Sequence, residues 1–324
     1  MTDCTSASDR PRVAAVVVTY NRKALLRQCL AALQSQTHPV AEIIVVDNAS
    51  TDGTDSMLAQ EFPAVTVHRL ATNRGGAGGF HEGMRRAAER EVDWIWVMDD
   101  DAEPHSDALE KLFEPGLHAR TDTVALMPLK RLPSGVPQYD QVGTYNLGRG
   151  QVEPVEAADE QWSEVSYGAF VGFLCRADAV NVVGLPDASL FLWFDDVEYC
   201  CRLQEVGRLY LVRSSTITHH VSRGEQAAPG QEQDEKPWRH YPLSYYWRYY
   251  YSYRNRLLIL QRHSTSMMQR MVGYGHIVAR ALRSAGSTLV YSEAKREKIR
   301  LLARGVIDGL LGRRGKRVDP ARYT

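Results

Sequence analysis

Four short apolar runs, each released into a polar loop and then into a helix-spaced segment, fix most of what this chain can become. They are Val13-Ala14-Ala15-Val16-Val17-Val18, Glu42-Ile43-Ile44-Val45-Val46-Asp47, Val65-Thr66-Val67-His68-Arg69-Leu70 and Trp94-Ile95-Trp96-Val97-Met98. The first, second and fourth do not alternate, so they read as strands buried on both faces, the pattern of a parallel sheet. Between the first two, residues 23–34 place Leu25, Leu26, Cys29, Leu30 and Leu33 at helical spacing. A second helix is expected near 55–61, and a third follows the glycine-rich loop 73–79 and runs to Glu89. Strands alternating with helices imply an α/β fold with a mostly parallel sheet and right-handed crossovers. Ligands of such sheets bind beyond the carboxyl ends of the strands. Four polar loops fall on that edge: 19–22, Asp47 with Asn48, 73–79, and Asp99-Asp100-Asp101.

Beyond Met98 the pattern gives a strand at 124–127, then a Gly/Pro-rich excursion at 133–154 that reads as a substrate-binding loop. Residues 167–176 read as a strand leading into a helix at 177–183, 194–203 as a helix opened by acids, and 208–212 as a last strand. The chain divides into a leader (1–11), an α/β unit (12–222), a polar linker (223–237) and a basic, aromatic-rich helical region (238–324). Of 324 residues 44% are hydrophobic and 24% charged, which excludes wholesale disorder. The formal net charge of zero hides an asymmetry: from Arg239 onward there are 18 Lys and Arg against 4 Asp and Glu. The five cysteines form no CxxC pair and no zinc spacing, and no stretch reads as a signal peptide or a membrane span. A cytoplasmic protein is expected.

Three adjacent carboxylates repel one another, and desolvating them costs several kcal/mol unless a cation or hydrogen-bond donors compensate. Asp99-Asp100-Asp101 is therefore either a solvated turn or a metal grip, and its D-x-D spacing suits a hard divalent cation bridging a diphosphate. Mg²⁺ fits that role, and an imidazole ligand from His219 or His220 would favour Mn²⁺. Asp47 either accepts hydrogen bonds from a nucleoside or caps its own turn. Gly75, Gly76, Gly78 and Gly79 either let a phosphate approach a helix N-terminus or make a tight turn. Asp195 and Asp196, with Glu198, form a second acidic cluster. It reads either as a general base in a dry site or as an acidic helix start. Trp193 either stacks on a sugar ring or belongs to the core.

Together these segments resemble the inverting family-2 glycosyltransferases of GT-A fold, and among them the bacterial galactofuranosyltransferases and related rhamnosyltransferases. The resemblance rests on Val-Val-Thr-Tyr-Asn-Arg (17–22), Val-Val-Asp-Asn-Ala-Ser-Thr-Asp-Gly-Thr (45–54), Asn-Arg-Gly-Gly-Ala-Gly-Gly-Phe (73–80), Trp-Ile-Trp-Val-Met-Asp-Asp-Asp (94–101) and Phe-Asp-Asp-Val-Glu-Tyr (194–199). It extends less firmly to Tyr-Arg-Asn-Arg (253–256). By resemblance, Thr19, Tyr20, Arg22, Asp47 and Asn48 line the nucleotide pocket, with Asn73 and Gly76 near the diphosphate. Asp99, Asp101 and His219 hold the metal, and Asp100 positions the donor sugar. Asp196 is the base that deprotonates the acceptor, Asp195 orients it or the acceptor, Trp193 borders the acceptor site, and Glu198 is counted among the substrate-binding residues. The tandem His219-His220 and the Trp193-Phe194 pair depart from the family pattern.

The expected activity is transfer of galactofuranose from UDP-galactofuranose to a lipid-linked or cell-envelope saccharide. Transfer of rhamnose from dTDP-rhamnose is the alternative, and a non-catalytic sugar-nucleotide or glycan-binding protein is the rival of another class. The tyrosines between 241 and 253, interleaved with Arg248, suit a headgroup interface, and the basic helices that follow add attraction to anionic lipid. The other reading packs those tyrosines onto the catalytic unit. No nucleic-acid recognition motif accompanies the charge. An oligomer is compatible with the sequence.

Overall fold

The computed structural model describes residues 10–156, 158–220 and 242–323. The linker read at 223–237, and the leader up to residue 9, lie outside the described residues.

The first half folds as its periodicity predicts: β1 (Val13–Thr19), α1 (Lys23–Gln34), β2 (Glu42–Asp47), α2 (Thr54–Glu61), β3 (Thr66–Arg69), α3 (Gly75–Ala88) and β4 (Trp94–Asp99). Then come β5 (Ala102–Pro104), α4 (Ala108–Phe113), β6 (Thr123–Arg131), β7 (Val142–Asn146), β8 (Gln151–Pro154), β9 (Trp162–Val165), β10 (Tyr167–Gly168) and β11 (Phe173–Arg176). The α/β part ends with α5 (Ala177–Val183), α6 (Asp195–Leu203) and β12 (Arg208–His219). Four helices follow: α7 (Leu243–Tyr246), α8 (Arg248–His263), α9 (Met267–Tyr291) and α10 (Lys295–Leu310).

Among the described residues the main sheet runs β3-β2-β1-β4-β11-β6-β12-β5, with β9 also on β12. Strands β1 to β4 pair in parallel, as do β6 and β12, whereas β11 runs antiparallel between β4 and β6. The register sets Thr19 beside Asp47 and Val18 beside Asp99, so the polar strand ends share one edge. Every residue of β1 is buried, which is why its run does not alternate.

Three segments differ from the sequence reading. The excursion at 133–154 carries β7 and β8, which with β10 make a small antiparallel sheet. The strand read at 167–176 is broken: Gly172 has φ +78°, and its carbonyl accepts the Trp96 indole N–H at 2.9 Å. The glycine loop is itself the opening of α3. Gly79 and Gly83 lie on β1, where a Cβ would overlap the Cγ1 atoms of Val18 and Val16 respectively, so these glycines close the helix onto the sheet.

Four of the tyrosines between 241 and 253 are buried. Tyr246, Tyr250, Tyr251 and Tyr253 are all under 5% exposed, in a second apolar core formed with Leu257, Ile277, Leu301 and Leu302. Their hydroxyls find partners inside: Tyr250 donates to Asp308 Oδ2 at 2.6 Å, Tyr251 to the Val318 carbonyl at 3.0 Å, and Tyr253 pairs with Ser284 Oγ at 2.8 Å. A tyrosine can be dry once its hydroxyl is satisfied, which corrects the headgroup role expected of these rings. Among the residues α9 leaves exposed are seven apolar ones: Met267, Met268, Met271, Val272, Leu282, Leu289 and Val290. No helix among the described residues is long and apolar enough to cross a membrane.

Replacing Gly83 by Ala adds helix propensity of ~1 kcal/mol but forces α3 off Val16, and overpacking of that kind costs ~1–3 kcal/mol. A lowered urea midpoint is expected. A midpoint equal to or above that of the parent chain would show that the helix lifts off the sheet freely.

Candidate active site

The edge formed by β1, β2 and β4 is knitted by side chains from their loops. Thr19 Oγ1 donates to Asp100 Oδ2 at 2.7 Å, the Tyr20 amide donates to the same oxygen at 3.4 Å, and Arg22 Nη1 reaches Asp100 Oδ1 at 3.3 Å. Both Asp100 oxygens are thus engaged by the chain's own donors. Burial still pushes this carboxyl up to about 6, against the Arg22 charge. The structure gives Asp100 the part of an anchor between β1 and β4 rather than the donor-sugar contact expected for it. Tyr20 stands 45% exposed beside it.

Asp101 behaves differently. Its Oδ2 takes Arg22 Nη1 at 2.6 Å, but its buried Oδ1 has no hydrogen-bond partner and lies 3.6 Å from His219 Nε2. His219 Nδ1 lies 2.9 Å from Gln138 Oε1, an acceptor, so Nδ1 donates there and Nε2 is turned toward Asp101. The donor set, carboxylate oxygen and imidazole nitrogen, suits a divalent ion. Burial works to raise Asp101, and His219 and Arg22 outweigh it, leaving the carboxyl below its ordinary value. Burial and the charges of Asp101 and Asp100 hold Asp99 well above its own. Among the described residues no three His, Cys, Asp or Glu side chains converge as a ligand cluster; within the expected trio of Asp99, Asp101 and His219, the last two meet. His220 turns away to Glu103 Oε2 at 2.6 Å, which separates the two histidines.

On the β2 side, Asp47 Oδ1 accepts the Ser50 amide at 2.8 Å, whereas its Oδ2 is buried without a hydrogen bond, with Arg69 Nε 3.6 Å away. Asn48 is committed at both ends, donating to the Gly75 carbonyl at 2.9 Å and accepting the Arg74 amide at 2.8 Å. Asn73 Oδ1 accepts the Gly75 amide at 2.8 Å. These two asparagines, read from the sequence as lining the nucleotide pocket (Asn48) and lying near the diphosphate (Asn73), shape the start of α3. Gly76 is half-buried and open. Gly75, at φ +74°, sits against the Phe191 carbonyl where no Cβ fits, and the Ala77 amide donates to that carbonyl at 3.2 Å. The nucleotide-side helix thereby touches the loop that carries the acidic pair.

That loop is strained. Phe191, Trp193 and Phe194 all have left-handed backbones, at φ +67°, +60° and +66°, each costing of order 1–3 kcal/mol for a non-glycine residue. Two residues of α8 hold it. Arg254 Nη2 donates to the carbonyls of Ser189 and Leu190 at 3.3 and 2.7 Å. Asn255 Nδ2 donates to those of Leu190, Leu192 and Trp193 at 3.0, 2.9 and 2.7 Å. Trp193, half-buried, packs edge-on against Tyr249 with ring centres 5.6 Å apart.

The loop delivers Asp195 and Asp196 to the start of α6. Burial and the Asp196 charge push Asp195 up to about 8, and burial pushes Asp196 up to about 6. Asp196 Oδ2 accepts the Tyr167 hydroxyl at 3.3 Å, and buried Lys130, itself lowered by burial to about 8, draws Asp196 back toward ionisation. Neither Tyr167 nor Lys130 was singled out from sequence; a lone lysine ending an apolar strand was the available signal. Glu198 points elsewhere. It binds Arg202 Nη2, Arg262 Nη1 and His263 Nε2 at 2.8, 2.8 and 3.2 Å, tying α6 to α8 instead of bordering an acceptor.

Residues 14–148 match the family model described as Glycosyl transferase family 2. Galactofuranosyltransferase GlfT1 of Mycolicibacterium smegmatis is 31% identical over 204 residues, 60% of this chain and 66% of that protein. The chain thus spans just under two thirds of that relative's length. N-acetylglucosaminyl-diphospho-decaprenol L-rhamnosyltransferase of Mycobacterium tuberculosis is 25% identical over 240 residues, 66% of this chain and 78% of that protein. Among solved structures, GalNAc-T7 with UDP, GalNAc and Mn²⁺ superposes with a TM-score of 0.61 at 15% identity, covering 92% of this chain and 56% of that one. Residues 14–148 are thus similar to family-2 glycosyltransferases, and the mostly parallel sheet with its helical flanks has the GT-A fold.

Proposed function

We propose that the chain transfers galactofuranose, with inversion, from UDP-galactofuranose to a lipid-linked saccharide of the cell envelope. The observation that carries this reading is a single neighbourhood joining the facing Asp101 and His219 side chains, through α3 and the Phe191 loop, to the carboxyl pair at the start of α6. Asp101 and His219 would hold a divalent cation such as Mn²⁺ or Mg²⁺, which would supply positive charge for a departing nucleoside diphosphate. Thr19, Tyr20, Arg22 and the unpartnered Asp47 Oδ2 receive the nucleotide. Asp196 takes the proton of the acceptor hydroxyl as its oxygen attacks the anomeric carbon, and Tyr167 and Lys130 keep it oriented and ionisable. Asp195 holds its proton near neutrality and positions the acceptor. A protein that only bound sugar nucleotides would have no use for this pair, since burying two like carboxyls works against folding.

The galactofuranosyl relative, at 31% identity, supports galactofuranose as the transferred sugar. The rhamnosyl relative covers more of the chain at lower identity and supports rhamnosyl transfer as the second reading. We also assign the membrane contact to the exposed apolar face of α9, from Met267 to Val290, rather than to the tyrosines. That face is flanked by a region carrying 18 Lys and Arg against 4 Asp and Glu, which suits the inner, anionic side of a membrane.

With Mn²⁺ and a short saccharide acceptor, UDP is expected to be released from UDP-galactofuranose faster than dTDP from dTDP-rhamnose; the reverse order would favour rhamnosyl transfer, and no release from either would end the catalytic reading. Asp196→Asn should lower kcat by about 10²–10⁴ while UDP still binds.

The rate should fall as pH drops through about 6, where Asp196 takes up its proton. Stability should move the other way. The folded-state values of Asp195 and Asp196 lie above those of the unfolded chain, so folding binds protons and stability declines as pH rises toward about 8. Asp195→Asn should therefore raise Tm at pH 8, and a lowered Tm there would contradict the assignment.

Sedimentation with anionic vesicles should be strong at low salt and weaken as salt is raised. Met271→Glu with Leu282→Glu should abolish it, whereas binding retained by that variant would move the contact off α9.

A further inference from the structure

Inside the C-terminal helical unit lies a cavity of about 160 Å³ that the transfer reaction, as read above, does not use. Arg256 and Arg280 both line it, with Tyr246, Tyr253 and Ser284 among their neighbours. Arg256 Nε is buried without a hydrogen-bond partner, and Arg280 donates only to a neutral group, the Gln151 carboxamide. Among the described residues neither guanidinium is paired with a carboxylate. Burial and the Arg280 charge push Arg256 below its ordinary value, and the groups acting to restore it are tyrosines. Two cations enclosed side by side, with only hydroxyls and an amide around them, repel each other and lack the counter-charge that buried arginines ordinarily have.

The location narrows the ligand. The Arg256 guanidinium lies over the Phe194 ring, 4.6 Å from its centre, and Phe194 immediately precedes Asp195 and Asp196. The cavity thus adjoins the residue that leads into the acidic pair. Arg280 sits on α9, whose opposite face exposes Met271 and Leu282. One helix thickness, ~10–12 Å, separates the cationic pocket from the apolar surface, a spacing that fits a phosphate whose lipid tail lies outside.

We propose that Arg256 and Arg280 form the subsite for the phosphate or diphosphate of the acceptor. It rests on the reading of the chain as a transferase with a lipid-linked acceptor, and it adds the group by which that acceptor is recognised. Two guanidiniums bind such an anion through charge-assisted hydrogen bonds, so substrates with the diphosphate are preferred to glycosides of the same sugar without it.

The test uses the full chain, with UDP and Mn²⁺ saturating the donor side. Inorganic pyrophosphate should raise Tm in a salt-sensitive manner, and Arg280→Gln and Arg256→Gln should each weaken its binding roughly ten- to hundredfold. In transfer assays the same substitutions should raise KM for a prenyl-diphosphate saccharide by a similar factor and shift KM for the alkyl glycoside far less. Vesicles carrying prenyl diphosphate should compete with pyrophosphate, and neutral vesicles should not. Competition by free pyrophosphate alone would identify a soluble anion site and overturn the acceptor assignment. Pyrophosphate binding unaffected by both substitutions would overturn the site. Should no sugar be transferred at all, the pyrophosphate measurement still decides whether the arginines bind an anion, so this failure and that of the transferase reading remain distinct.

Discussion

The grip of Arg254 and Asn255 on the loop ahead of α6 is the constraint on which the rest of this site depends. Three non-glycine residues in left-handed conformations will not stay there unaided. The side chains of two adjacent residues on α8 collect the carbonyls of Ser189, Leu190, Leu192 and Trp193, and so make one backbone path the only one that leaves no buried acceptor bare. Arg254 is fully buried, and its other amino group, Nη1, reaches the Gly315 carbonyl at 2.6 Å. The C-terminal helices are thus a jig for the acidic pair as much as a separate unit. Glu198, bound to Arg202, Arg262 and His263, adds a second tie between α6 and α8.

Opposed demands meet at the sheet edge. The anchor at Asp100 is satisfied by Thr19, Tyr20 and Arg22, and so gives rigidity. Its neighbour Asp101, and Asp47 on the adjacent strand, each keep one buried oxygen without a donor. Unsatisfied acceptors of this kind work against folding and are rare in native proteins. Their concentration on the edge where parallel sheets bind ligands gives that edge its functional character.

Much of this was legible in the sequence because it follows from local periodicity. Non-alternating β-branched runs announced buried parallel strands, and the helix at 23–34 and the strand at 42–47 lie where the spacing put them. The acid pair at a helix start and the carboxylates at the end of β4 were equally visible. What escaped depends on contacts between distant residues. Glycines at 79 and 83 are helical because β1 lies beneath them, which no local rule supplies. Glu198 looks like its acidic neighbours until Arg262 and His263 arrive from α8. The tyrosines of α8 have the composition of an interfacial belt, and only the positions of Asp308, Val318 and Ser284 reveal that their hydroxyls are satisfied indoors. Asp99 and Asp101 share a motif, yet one ends a strand and the other sits in the turn beyond it, so a spacing of two does not make them equal partners.

Gly75 has a consequence reaching past its own turn. Because the Phe191 carbonyl rests where a side chain would otherwise be, the opening of α3 and the loop ahead of α6 are packed as one part. A methyl group at position 75 would have to displace that carbonyl, and with it the backbone that leads to Asp195 and Asp196.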